Sequence, residues 1–297
     1  MPAATSAIAN ILIGGIFHAA VLFLVAAGLQ LVFGVQKIVN LACGSFYALG
    51  AYFGITLVNF GLGAGLPDWT LLPLLVLAGL LMAVVGPPIE RLLRAVYDRD
   101  ESFQLLLTFA LVLMFQDIFR LVWGANPRSL NNVHLVYGKW TVGDFSVPVY
   151  NLLVISAALL AAFLIGLFLK HTTFGRLLRA TAENRAMAEA LGVNVRAVYA
   201  AVFTLGTLLG TLGGALVVPT AAASLDMAVE FVIEAFAVVV IGGLGSMPGA
   251  LAGAGLVGLI RACALVLYPE FEILAIYLIV IVVLLLRPSG LFGKPAT

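Results

Sequence analysis

Apolar runs long enough to cross a bilayer recur along almost the whole of this 297-residue chain. A membrane helix needs about 20 mostly apolar residues. Its backbone must bond within the segment, because hydrocarbon offers no water to satisfy it. Residues 8–33, 38–60, 70–87, 103–123, 150–169, 198–218, 231–241, 250–267 and 273–286 meet or approach that requirement. The first, fourth and fifth are uninterrupted. The second is broken by Asn40, Gly44 and Ser45. The seventh is short and runs into GGLGSMPGA (residues 242–250), where four glycines and Pro248 demand a bend or a re-entry. The expected fold is all-α, a polytopic transmembrane helical bundle of eight or nine spans. Composition agrees: 10% of residues are charged, against about 25% in soluble domains, so membrane lipid must cover much of the surface. No polar stretch is long enough to build a separate core, so residues 1–297 read as one transmembrane domain.

Basic residues set the orientation, because cytosolic loops carry the excess of Lys and Arg. Residues 90–101 hold Arg91, Arg94 and Arg99, residues 170–196 hold Lys170, Arg176, Arg179, Arg185 and Arg196, and the tail holds Arg287 and Lys294. These are expected in the cytosol. Residues 61–69 contain no basic side chain, and 124–149 are rich in Asn, Pro and Gly beside Trp123, Tyr137 and Trp140. These are expected outside. Counting back gives an external N-terminus with nine crossings, or an internal one if either of the first two spans does not cross. The first apolar run has no Lys or Arg before it, unlike a signal peptide, and reads as a retained helix.

The segment KHTTFGRLLRATAENRAMAEALGVNVR (170–196) is the longest strongly charged stretch. Its pattern suggests a short helix, too polar to cross a bilayer and too ordered for a linker, and so a docking surface. Elsewhere, small residues recur every fourth position: Gly206, Gly210 and Gly214, Gly50 and Gly54, Gly249 and Gly253. That period lets helix backbones approach closely, either inside one bundle or at a subunit seam.

Enzyme chemistry finds no support. No Walker A sequence is present, and no Lys-Ser or Lys-Thr follows the glycines of 242–249. His18, His134 and His171 are scattered, and Cys43 and Cys263 sit alone in apolar runs, so neither a metal site nor a disulfide framework is indicated. His18 reads as a packed or hydrogen-bonded residue of the first helix. The net charge of +1 points to no nucleic acid. Intramembrane ionisable residues are few and are functional candidates by default. Asp117 and Arg120, one turn apart, read as a local ion pair. Arg261 calls for an acid such as Glu230 or Glu234. Acids are absent from the centres of the clear spans, which argues against proton or sodium coupling and for an external energy source. The polar segment KIVNLACGS (37–45) is a candidate broken helix lining a translocation path, with Asn40, Cys43, Gly44 and Ser45 as the residues concerned.

Several motifs together resemble one family. The opening GLQLVFGVQKIVNLACGSFYALGAYFG (28–54), the loop pattern at Thr173, Gly175, Arg176, Arg179, Ala180, Ala182, Asn184, Ala188, Gly192 and Val193, the late FAVVVIGGLGSMPGALAGAGLVGL (236–259) and the ending LLLRPSGLFG (284–293) occur in order. They resemble ABC transporter permeases of the branched-chain amino acid (Liv-type) class, closer to the H-type subunit than to the longer M-type.

The resemblance implies a bacterial inner-membrane protein that pairs with a second permease subunit, sister or self. Two cytosolic ATPases carrying ATP and Mg and a periplasmic solute-binding protein would complete the importer, and this chain itself would bind no cofactor. The 170–196 loop would then dock the ATPases through a short coupling helix over 182–191. Met187, Ala190 and Leu191 would form its apolar patch, Arg179, Glu183 and Arg185 would set its register, Arg176 would join the ATPase contact, and Gly192 would end it. Gly242, Gly243, Gly245 and Ser246 join the candidate path.

One stretch departs from the family pattern. Where Ala-His-Gly-Glu-Phe is usual, this chain reads Ala42-Cys43-Gly44-Ser45-Phe46. Losing a titratable pair would favour more apolar or aromatic acids, amides or urea-like solutes, while branched-chain amino acids remain the leading cargo by family frequency. A sugar permease of the ribose type, an ATP-independent carrier or channel, and a membrane-embedded enzyme are the competing readings.

Overall fold

The computed structural model describes residues 2–293 other than 98, 131–135 and 143–144, with side chains left aside at 2–10, 142, 145, 267, 269 and 273. His134 and Lys294 therefore lie outside the described residues. Twelve α-helices follow in order: α1 (Pro2–Gln36), α2 (Cys43–Gly63), α3 (Leu71–Met82), α4 (Gly86–Leu93), α5 (Glu101–Trp123), α6 (Val149–His171), α7 (Thr173–Glu183), α8 (Arg185–Ala190), α9 (Val195–Val217), α10 (Met227–Gly242), α11 (Met247–Leu267) and α12 (Glu272–Leu286). Seven helical segments are long and apolar enough to cross a membrane, and α12 contains a shorter apolar stretch, Leu274–Leu286. With α10, whose 16 residues span about 24 Å at 1.5 Å per residue, these fit the expected eight or nine spans.

Two span boundaries differ from the sequence reading, each for a local reason. The second span begins at Cys43 rather than residue 38, because the chain leaves helical geometry at Lys37, whose φ is +58°. The third runs as one span over Asp68–Val96 but changes pitch at Ala83–Val85. Pro87 and Pro88 follow there, and proline lacks the N–H that a continuous helix needs. In the loop between α5 and α6 an antiparallel hairpin forms, β1 (Lys139–Val142) paired with β2 (Phe145–Pro148). Its alternating apolar residues bury Val147.

Lipid tails are as apolar as leucine, so burial alone does not hold membrane helices together; close packing and interhelical hydrogen bonds do. The glycine stripe of α9 supplies the packing. Gly206 faces α1, where a Cβ would meet Val32 at 2.8 Å, and Gly214 lies directly on the Tyr47 carbonyl of α2. Gly50 lies on the Thr211 carbonyl, and Gly253 on Val238. The period-four glycines thus serve contacts within the bundle. The Tyr150 hydroxyl donates to the Leu216 carbonyl at 2.6 Å and the Thr211 hydroxyl to the Gly79 carbonyl at 2.8 Å. Each such bond is worth about 0.6–1.7 kcal/mol in a membrane.

Contacts divide the loops between two ends. At one end Arg94 donates to the Arg196 carbonyl (3.3 Å), Gln36 to the Tyr199 carbonyl (3.0 Å) and Gln30 to the Gly243 carbonyl (2.8 Å). At the other, Tyr137 donates to the Trp69 carbonyl (2.8 Å), Trp123 to the Thr56 hydroxyl (2.7 Å), and Arg128 pairs with Ala223 as an isolated β-bridge. The basic segments 90–101 and 170–196 gather at the first end, which the positive-inside rule makes cytosolic.

Candidate functional site

The basic end is built on three side-chain caps. Thr172 accepts from the Gly175 amide (3.0 Å) and starts α7, Asn184 accepts from the Met187 amide (2.9 Å) and starts α8, and Asn194 accepts from the Ala197 amide (3.1 Å) and starts α9. Such caps stabilise a helix start by about 1 kcal/mol each. The expected single helix over 182–191 is in fact divided. Asn184, at φ −150° and ψ 99°, ends α7 and starts α8. Its side chain prefers to satisfy an orphan amide at a helix start rather than sit in mid-helix.

The end of α8 follows the expectation. Gly192 has φ +85°, its amide donates to the Glu189 carbonyl (3.0 Å), and Val193 donates to the Ala188 carbonyl (3.0 Å). This is the Schellman arrangement, which glycine permits without a Cβ penalty. Between these fixed ends, Met187 and Leu191 are 58% and 78% exposed while Ala188 is buried. Arg185 pairs with Glu189 (3.2 Å) and lies over the Tyr199 ring at 5.8 Å. Arg176 donates to Thr173, Arg179 to the Leu169 carbonyl, and Glu183 is exposed. The result is a short, rigidly framed helix that presents two bare apolar side chains within a charged rim.

The glycine loop 243–246 lies at the same end. Gly243 has φ +96° and Gly245 φ +83°. Gln30, 2% exposed on α1, holds the loop by three bonds. Its amide donates to the carbonyls of Gly243 (2.8 Å) and Ser246 (3.1 Å), and its carbonyl accepts from the Gly245 amide (2.8 Å). From the other side the tail closes on it, with Leu291 donating to Ile241 (2.8 Å) and Phe292 to Gly242 (3.0 Å). Gly242 and Gly249 touch backbone to backbone, and Ser246 caps α11 through the Gly249 amide (3.1 Å). The bend expected after residue 241 is therefore a four-residue turn locked between the two ends of the chain.

The segment 37–42 is unwound and, apart from exposed Lys37, buried or half-buried. The Asn40 side chain accepts from the Ala42 amide (3.1 Å), fixing the turn into α2. Cys43, Gly44 and Ser45 are all buried. Gly44 lies against the Ala228 carbonyl of α10, and the Ser45 hydroxyl, fully buried, has no hydrogen-bond partner.

The feature that sequence reasoning missed is a charge cluster joining four helices. His18 Nε2 lies 2.8 Å from Glu234 Oε2, and Arg261 Nη1 lies 3.1 Å from Glu234 Oε1 and 3.0 Å from His18 Nδ1. Arg261 Nε also donates to Glu272. The sequence suggested an acid such as Glu230 or Glu234 for Arg261, and the structure brings Glu234 to it; that His18 and Glu272 complete the cluster depends on tertiary packing. The expected local pair of Asp117 and Arg120 does not form. Both side chains are exposed without an ion pair, while neighbouring Gln116 donates to Asp226 at 3.4 Å.

Removing the guanidinium leaves two carboxylates facing one another in a low-dielectric bundle. Arg261→Met is therefore expected to destabilise the protein, toward the lower end of about 3–5 kcal/mol because Arg261 is partly exposed. The double change Arg261→Met/Glu234→Met is expected to cost less than the single one. Thermal unfolding in mild detergent checks both, and a single variant as stable as wild type would remove the cluster from the structural account.

The bundle carries its polar loops at two ends, with a short, capped helix exposed at the basic end, as suits a membrane transport subunit. The chain belongs to the family described as "Branched-chain amino acid transport system / permease component", which it matches over residues 11–286, and it is a multi-pass protein of the bacterial inner membrane.

Among its relatives is the high-affinity branched-chain amino acid transport system permease protein LivH of Escherichia coli. It is 29% identical over 92% of this chain and 91% of its own length. The permease protein BraD of Pseudomonas aeruginosa is 26% identical over 96% and 95%. The probable LivH of Methanocaldococcus jannaschii is 30% identical over 84% and 78%. A chain of PsaBC from Streptococcus pneumoniae, solved in complex with a Fab, shares 12% identity over 94% of this chain and 92% of its own, at a TM-score of 0.49.

Proposed function

We propose that this chain is a permease subunit of an ATP-binding-cassette importer, moving branched-chain amino acids or a related small solute across the inner membrane. The observation that carries the reading is α8. A six-residue helix fixed by an Asn cap and a Schellman end, with Met187 and Leu191 bare to solvent, is an apolar knob that water disfavours and a partner's groove would cover. In this reading a second permease subunit completes the path. Two cytosolic ATPases bind ATP and Mg and close on α7 and α8 through Arg176, Arg179, Glu183, Arg185, Met187, Leu191 and Gly192. A periplasmic solute-binding protein delivers the cargo at the opposite end. Closure of the ATPases pushes α8, and the caps pass the motion to α6 and α9 without slack.

The path is proposed along the unwound segment and the glycine loop, at Asn40, Cys43, Gly44, Ser45, Gly242, Gly243, Gly245 and Ser246. The buried, unpartnered Ser45 hydroxyl and the buried Cys43 thiol support a cargo class that needs no titratable pair at this point, such as apolar or aromatic acids, amides or urea-like solutes. Purification from native membranes in a gentle detergent, with mass spectrometry of what accompanies the chain, is the test. Two ATPases and a permease partner are expected. Recovery of the chain alone, with uptake intact in ATP-free proteoliposomes, would replace the importer with a channel or carrier.

A further inference from the structure

A cavity of about 630 Å³ opens between α1, α6 and α9, within the range of small-molecule sites. Its walls are apolar along most of their length, with Leu31 on α1, Leu164 and Phe168 on α6, and Leu205 and Leu208 on α9. Only at the C-terminal end of α6 does the lining turn polar, at His171 and Thr172. That end is the one where the basic loops gather.

The corner between α6 and α7 concentrates positive charge there. Lys170 and His171 close α6, and both are exposed. Gly175 packs on the Leu169 backbone, and Arg179 on the next helix folds back to donate to the Leu169 carbonyl, part of the groove wall. Arg176 stands one turn before Arg179 on α7 and is exposed too. No acidic residue lines the groove. The slot is thus apolar along its length and ends at His171 and Thr172, with Lys170 next to that end in the chain.

We propose that this groove is a binding site for an anionic phospholipid of the cytoplasmic leaflet. An acyl chain lies along Leu164, Phe168, Leu205 and Leu208, and the phosphate meets Lys170 and His171. Basic pockets between membrane helices on the cytoplasmic side suit such headgroups, and each Lys or Arg near an anionic lipid surface contributes about 1 kcal/mol. A protein segment in the same slot would need an acid at its end to match these cations. The anionic lipid brings its own and is present wherever the helix meets the leaflet. Of the spans, α6 is among the most exposed along its length, which leaves the slot open to the bilayer.

The test is lipid retention by the full-length chain. Equilibrated with mixed micelles of equal phosphatidylglycerol and phosphatidylcholine, the wild-type protein is expected to hold phosphatidylglycerol preferentially in native mass spectra. Lys170→Gln/His171→Gln is expected to cut that preference about fivefold or more, the factor equivalent to about 1 kcal/mol. Leu208→Trp, which fills the slot and leaves the basic end intact, is expected to abolish retention of both lipids. Equal retention of the two lipids by wild type, or a preference untouched by either variant, would overturn the proposal. So would cross-linking of a Leu164→Cys variant to a second polypeptide, since that would place protein in the slot.

Discussion

Uptake falls at least tenfold in Met187→Asp, while the protein still inserts, folds and reaches normal levels. This is the expected result if α8 is the contact through which ATP hydrolysis moves the bundle. Met187 touches little within the chain and is 58% exposed, so its loss barely weakens the monomer. Buried under a partner, a methionine side chain is worth about 1.5–3 kcal/mol, and each 1.4 kcal/mol is a factor of ten in affinity. A carboxylate in its place adds a desolvation cost. Met187→Leu, similar in volume, is expected to retain transport. Glu183→Lys reverses a charge on the rim and is expected to uncouple as well, with helical content unchanged. Solute uptake driven by ATP, measured beside circular dichroism, separates coupling from folding. Wild-type uptake by both Met187→Asp and Glu183→Lys would remove α7 and α8 from the coupling path.

Gly243→Leu is expected to act on assembly instead. At φ +96° any side chain strains the backbone by about 1–3 kcal/mol. A Cβ there would also press on the tail, 2.8 Å from the Gly293 Cα and 3.0 Å from the Ser289 carbonyl, adding about 1–3 kcal/mol of overpacking. The sum, roughly 2–6 kcal/mol, would release the tail from α10 and break the grip of Gln30. Gly255→Ala, in α11 with open space around it, is the control and is expected to leave stability unchanged. Thermal unfolding and gel filtration of the two variants give the answer. A Gly243→Leu protein as stable and monodisperse as wild type would show that the turn tolerates rearrangement.

The helical class, the approximate span count and the end that carries the basic loops were readable from apolar run length and the placement of Arg and Lys. Those signals are local and additive, and the membrane leaves the backbone few choices. The glycine stripe of α9 was also readable, although only the folded bundle shows that Gly214 lies on Tyr47 rather than on another subunit. The division of the 170–196 loop at Asn184 was not foreseen. An asparagine inside a helix-like pattern looks tolerable until its side chain finds the Met187 amide. Gln30 escaped notice because a single amide in a hydrophobic helix has no periodic signature, and its partners lie more than 200 residues away. His18 was read correctly as hydrogen-bonded. Nothing near it in sequence pointed to Glu234 or Arg261, because long-range pairing is set by how helices cross rather than by what lies beside them.

The grip of Gln30 on the 243–246 turn bears on how the chain is made. The first helix leaves the ribosome with its buried amide and His18 unsatisfied, since their partners belong to α10, α11 and the turn between them. At about 5–20 residues per second, some 10–40 s pass before those segments are synthesised. During that interval α1 must wait in or beside the insertion machinery with polar groups facing lipid or a chaperone. The protein therefore cannot mature from its N-terminus onward like a string of finished hairpins. Its first helix is among the last to find its place, and a translation pause or truncation before residue 243 would strand it as a target for membrane proteolysis.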